Sequence, residues 1–267
     1  MPHGHRAAVL TLAALALVTG GAPARANLRA PVILDRPAST GLMLLSGEAT
    51  LRRAGLAARC DGERCSLRAT YEVHAASAER CVFALLVPEG AIGRTVRVNG
   101  KEVRVASLPF VPRSPREKEL VPQRPLLGKL VRAAFEATLP AGTSRLELSY
   151  AQGLSAEERG HGYFSKGRFL HRLEQHLWPL KGWTLAPDFD LAVEVRLPRS
   201  RPGWWKRTFG KVRTFRCVRG DGQYKPESPL GAQAPSQQGE ELVFAIRLGR
   251  AIPDRLTCSF GDDDLLR

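Results

Sequence analysis

The chain has 267 residues, 43% of them hydrophobic, and carries a formal net charge of +14. Apolar content at that level excludes a disordered chain, and the length suffices for one large β domain or two smaller ones with a real core. Only 8 of the 40 basic residues are lysine, so the charge is mostly arginine. It reads either as the coding bias of a GC-rich genome or as attraction to an anionic partner such as lipid, lipopolysaccharide or polysaccharide.

Residues 1–26 read as a signal peptide. Arg6 precedes an apolar run from Ala7 to Val18, and Ala24-Arg25-Ala26 offers small residues for cleavage near Ala26. The run is too short to span a bilayer, and no later stretch reaches about 18 apolar residues, so no transmembrane span is expected. Removing Arg6 and Arg25 leaves 38 basic and 26 acidic residues, a net charge of +12. The expected place is the periplasm or the extracellular medium, where nucleic acid is not a partner.

Five cysteines follow the signal, and in an oxidising compartment most should pair. Cys60 and Cys65 flank Asp-Gly-Glu-Arg, a turn sequence, and could close the neck of a hairpin. Cys217 and Cys258 sit in strand-like segments where a bridge is natural. Cys81 is then a buried free thiol, unless it pairs with Cys60 or Cys65. No CxxC spacing supports zinc.

Leu67, Ala69, Tyr71 and Val73 alternate with polar residues, the mark of a half-buried strand. Cys81–Val87 is apolar throughout, which suits a strand covered on both faces. Asn99-Gly100 between Val96/Val98 and Val103/Val105 predicts a type I′ hairpin. Between Val105 and Leu130 five prolines predict a long exposed loop, the face for a possible envelope protein partner. Phe135–Leu139 and Leu146–Tyr150 predict two more strands around Pro-Ala-Gly. These short strands imply a β-sandwich over residues 27–152.

The order of Tyr71-Glu72-Val73, the VxVNGKxV hairpin of Val96–Val103 and the FEATLPAGTSRLELSY pair of Phe135–Tyr150 resembles secreted or periplasmic bacterial β-sandwich proteins of uncharacterised function. It is also similar to the β-sandwich that precedes the catalytic domain in some zinc aminopeptidases. The resemblance implies a fold and a compartment and no activity, since no His-Glu-x-x-His occurs in the chain.

Phe169, Leu170, Leu173, Leu177 and Trp178 fall at helical spacing, with Ser165 as a cap and Pro179 as a stop. The spacing predicts one central amphipathic helix, within a connector over 153–187. His171 and Glu174 would share a face of it and, with His161 and His176, are the candidate metal or acid–base residues of a hydrolase. His176 is five residues from His171 and points elsewhere on a helix.

Residues 188–267 predict a small C-terminal β unit. Its strands are Leu191–Leu197, one around Phe215 and Cys217, Leu242–Leu248 and Leu256–Phe260. Between the first two, Arg196–Arg219 holds nine basic residues and no acidic one, interleaved with Trp204, Trp205 and Phe209. Arg201, Trp204, Trp205, Lys206, Arg207 and Lys211 are the expected contact residues for an anionic surface. The sequence names no reaction, ligand or cofactor. It points to a secreted, mainly β, non-enzymatic binding or structural protein, with a metal-dependent hydrolase as the rival reading.

Overall fold

The computed structural model describes residues 32–121, 129–159, 168–199, 213–221, 228–229, 235–262 and 265–266. In chain order the strands are β1 (Ile33–Leu34), β2 (Ser39–Thr40), β3 (Met43–Ser46), β4 (Ala49–Cys60), β5 (Arg64–Ala75), β6 (Glu79–Pro88), β7 (Ile92–Val98), β8 (Lys101–Glu102) and β9 (Ala106–Pro109). After a helical turn, α1 (Pro115–Lys118), come β10 (Leu130–Leu139), β11 (Gly142–Gly153), β12 (Ser155–Arg159), β13 (Arg168–His176), β14 (Thr184–Pro198), β15 (Arg213–Gly220), β16 (Ser228–Pro229), β17 (Ser236–Gln238), β18 (Glu241–Leu248) and β19 (Arg255–Asp262). A 3-10 turn, Trp178–Gly182, stands between β13 and β14.

The protein is mainly β, built from three sheets packed in a sandwich-like way. The largest runs β17-β18-β14-β4-β5-β11-β7-β8. A second runs β1-β12-β13-β19-β15-β16 with β2 beside β13, and a four-stranded sheet runs β3-β6-β10-β9. Strand pairing crosses the boundaries expected at 152 and 187. β14 lies parallel to β4 from Thr184↔Thr50 to Arg196↔Arg59, and β1 and β2 join the sheet of β12 and β13.

Local patterns fold as their physical chemistry dictates. β5 alternates exposed and buried residues, with Leu67, Ala69, Tyr71 and Val73 inward. The Asn99-Gly100 turn has φ of 49° and 80°, the two positive values that a type I′ hairpin requires. In β6 the apolar run is covered on both sides. Phe83, Leu85 and Val87 join the main core, while Leu86 packs with Leu120 and Leu130 on the other face. The proline-rich excursion is therefore not only an exposed loop. Before residue 122 it supplies edge strand β9, α1 capped by Ser114, and the fully buried Leu120.

The central helix is corrected: Arg168–His176 is a strand. β13 runs between β12 and β19, and it buries residues on both of its faces. Leu170 and His176 are buried on one face, Leu173 and Gln175 on the other. Two-sided burial removes the period of two that announces a strand, and the remaining apolar spacing mimics a helix. Ser165 lies outside the described residues.

The two expected disulfides form. Cys60–Cys65 is a register pair at the neck of the β4–β5 hairpin, and Cys217–Cys258 is a register pair across β15 and β19. Cys81 is free and buried, and burial pushes its thiol pKa up. No helix among the described residues is long and apolar enough to cross a membrane.

A buried polar knot joins the sheets at β2. Ser39 Oγ lies 2.7 Å from Gln152 Oε1 and 2.6 Å from Gln175 Oε1, with one hydroxyl proton to share between them. Tyr150 donates its hydroxyl proton to Ser39 Oγ at 2.9 Å. Next door, Leu86 N–H donates to Thr40 Oγ1 at 3.0 Å. Burial pushes the Tyr150 hydroxyl up to about 12, against its hydrogen bonds to Ser39 and Gln175. The folded state therefore keeps a proton that the unfolded chain has lost. That stabilisation is complete below about pH 10 and disappears as pH climbs toward about 12. Chemical unfolding measured across this range should show stability falling with pH. Tyr150→Phe should cost about 1–3 kcal/mol at neutral pH and flatten the alkaline fall, leaving the part due to Tyr71, whose hydroxyl burial also pushes up.

Candidate functional site

A strand spaces side chains differently from a helix, and this separates the predicted metal set. In β13 residues two apart share a face, so Glu174 and His176 meet, with His176 Nε2 2.9 Å from Glu174 Oε1. Arg255 Nη1 stands 3.7 Å from the same oxygen. Burial works to raise the Glu174 pKa, but the hydrogen bond and charge of His176, with Arg255, outweigh it and hold the carboxyl below its usual range. His171 is on the opposite face, against Phe169. Its pKa is lowered first by burial and then by Arg213. Of the four residues, His171 faces away from Glu174 and His176, and His161 lies outside the described residues. Among the described residues no group of three His, Cys, Asp or Glu is placed to hold a metal ion. Of the basic-aromatic run, Arg201, Trp204, Trp205, Lys206, Arg207 and Lys211 also lie outside the described residues.

Among the described residues, two regions of the surface have hollows the size of a ligand site. One is the outer face of the eight-stranded sheet, a trough floored by Gly55, Thr70 and Ala192 with a volume of about 730 Å³. Its charges are spent on each other. Arg53 pairs with Glu72 at 3.7 Å, Arg247 with Asp190 at 3.2 Å and, alongside, Arg68 with Glu147 at 2.7 Å. Exposed pairs of this kind contribute about 0–1 kcal/mol each and are the ordinary dress of a solvated sheet.

The other is a cleft of about 590 Å³ where the strand ends of two sheets come together. That volume is typical of small-molecule sites. One wall is the tip of the β4–β5 hairpin with the end of β11, and it carries Arg36, Glu63, Arg64 and Gln152. The other is the β6–β7 turn with the approach to β10, and it carries Glu89 and Lys129. None of these five charged side chains has an ion-pair partner within about 4 Å among the described residues.

Local structure fixes both walls. Asp61 Oδ1 accepts the N–H groups of Glu63 and Arg64 at 2.9 and 2.8 Å, an Asx turn closed beneath by the disulfide. The Glu63 and Arg64 amides, together with the Arg64 charge, hold the Asp61 carboxyl below its usual range despite some desolvation. Leu154 N–H donates to Glu63 O at 2.8 Å, and on the far wall Glu89 N–H donates to Lys129 O at 2.7 Å. Gln152 is buried at 4% exposure, and its Oε1 is engaged by Ser39. That leaves its Nε2 group, without a partner among the described residues, as the donor available to the cleft.

No family model matches the chain, and no curated protein matches it. Among solved structures, a Legionella pneumophila protein provisionally named as a nutrient binding protein is similar in fold, with a TM-score of 0.56 at 12% identity. That match covers 84% of this chain and 70% of the Legionella chain. An M1 zinc metallopeptidase from Deinococcus radiodurans matches with a TM-score of 0.36 at 16% identity, over 82% of this chain and 43% of the peptidase. The first match supports the fold resemblance to uncharacterised bacterial proteins.

Sequence reasoning missed the cleft. The Cys-Asp-Gly-Glu-Arg-Cys tip was the one signal that could have led there. Gly62 at that tip has φ of 106°, and Arg213 packs its guanidinium where a Cβ would stand. Gly62→Ala should therefore cost about 1–3 kcal/mol, read as a lowered midpoint in denaturant, while Gly90→Ala, with open space around it, should change the midpoint little.

Proposed function

We propose that the protein is a secreted, non-enzymatic binding protein of the periplasm or extracellular space that takes a small polar ligand in the cleft. The observation that carries this reading is the contrast in charge pairing. The sheet face neutralises itself, whereas the cleft gathers three cations and two carboxylates that have no ion-pair partner within about 4 Å among the described residues. Unpaired charges around a concave site are available to a ligand without first breaking a bond within the protein. Two disulfides agree with an oxidising compartment. The Legionella protein of similar fold is named for nutrient binding, which agrees with the same role.

The test is a thermal-unfolding screen against small organic acids, phosphates, sugars and amino acids. A ligand at about 100 times its Kd adds about 2.7 kcal/mol, which raises the midpoint of a domain this size by roughly 5–10 °C. The combined Arg36→Gln, Arg64→Gln and Lys129→Gln variant should fold normally, because these residues are exposed, and lose the rise. A screen with no stabilising compound, or a rise that survives the triple substitution, rejects the cleft as the site.

A second contact rests on the basic run of Arg196–Arg219. Nine cations with interleaved aromatics suit an anionic lipid or lipopolysaccharide surface, and each engaged cation contributes about 1 kcal/mol. Co-sedimentation with anionic vesicles at low salt should show binding that weakens strongly in Trp204→Ala, Trp205→Ala, Lys206→Ala protein. Equal sedimentation of the two proteins removes this surface from the account.

A further inference from the structure

We infer that the ligand of the cleft is a small zwitterion, an amino acid or short peptide presenting an ammonium and a carboxylate together. The inference rests on the reading of the cleft as the binding site. A site for a simple anion would collect cations, and carboxylates in it would repel the ligand. A site for a simple cation would show the reverse. Here each wall carries both signs: Arg64 and Glu63 on one, Lys129 and Glu89 on the other.

The walls belong to different sheets, and main-chain hydrogen bonds and the Cys60–Cys65 bridge hold their charged residues. The opposite charges are thus not paired across the gap, and a ligand with both signs can join them. The arginine and lysine side chains suit a carboxylate, in line with the geometry of charge-assisted hydrogen bonds. Glu63 and Glu89 suit an ammonium. Gln152 Nε2 adds a neutral donor at the floor, and the buried Pro37 and Ala91 give an aliphatic portion something to rest on.

Calorimetric titration with alanylalanine, N-acetyl-alanylalanine and alanylalanine amide tests the inference, with free amino acids as further probes. Blocking either end should weaken binding at least 10-fold. Glu89→Gln should bring the free and acetylated dipeptides closer together. Arg64→Gln with Lys129→Gln should do the same for the free and amidated ones. Equal binding of a blocked and a free dipeptide overturns the zwitterion. If that binding is still lost in the Arg64→Gln, Lys129→Gln protein, the cleft stands as a site for another ligand class. Absence of binding by every dipeptide and amino acid also overturns the zwitterion, while the wider ligand screen separately decides the cleft.

Discussion

Four residues, Ser39 to Leu42, hold the three sheets together. Ser39 reaches Gln152 of the large sheet and Gln175 of the second, and Thr40 accepts from Leu86 of the four-stranded sheet. Gly41 N–H then donates to His176 O at 2.7 Å, Leu42 N–H donates to the Tyr71 hydroxyl at 3.1 Å, and Trp183 Nε1 donates to Leu42 O at 2.8 Å. Apolar packing alone is non-directional and tolerates sheets that slide. Hydrogen bonds in a dry interior do not, because a slipped register would strand buried polar groups at about 1–3 kcal/mol each. The knot also sets the cleft, since Gln152 belongs to both.

What could be read from the sequence was local. The Asn99-Gly100 hairpin, the Cys60–Cys65 neck and the alternating strands β5, β14, β18 and β19 are each decided by residues near one another in the chain. β13 was not readable, because Leu170, Leu173, Gln175 and His176 are buried by neighbours on both faces that only the folded sheets supply. The metal hypothesis depended on that one assignment. A period of 3.6 puts His171 beside Glu174, and a period of two puts His176 there instead.

The cleft was illegible for a related reason. Arg36, Glu63, Glu89, Lys129 and Gln152 come from separate parts of the chain, and each alone looks like ordinary surface. Its distinguishing property is that these charges lack close ion pairs among the described residues, which a sequence cannot display. The high net charge was visible from the start, yet it says little by itself. Much of the described arginine on the strand faces is matched to carboxylates, as at Arg68–Glu147 and Arg196–Glu194.

The parallel pairing of β4 with β14 has a consequence for how the molecule comes into being. β4 ends at Cys60 and its neighbour begins at Thr184, so more than half the chain must exist before the middle of the large sheet can close. The same holds for β2, which waits for β13. Pairings across such separations incur loop-closure entropy before contacts return it, and topologies rich in them fold slowly. Until Thr184–Pro198 arrives, β4 presents an open edge to solvent and to other chains. A chain of this topology commits to its native sheets only when most of it has left the ribosome.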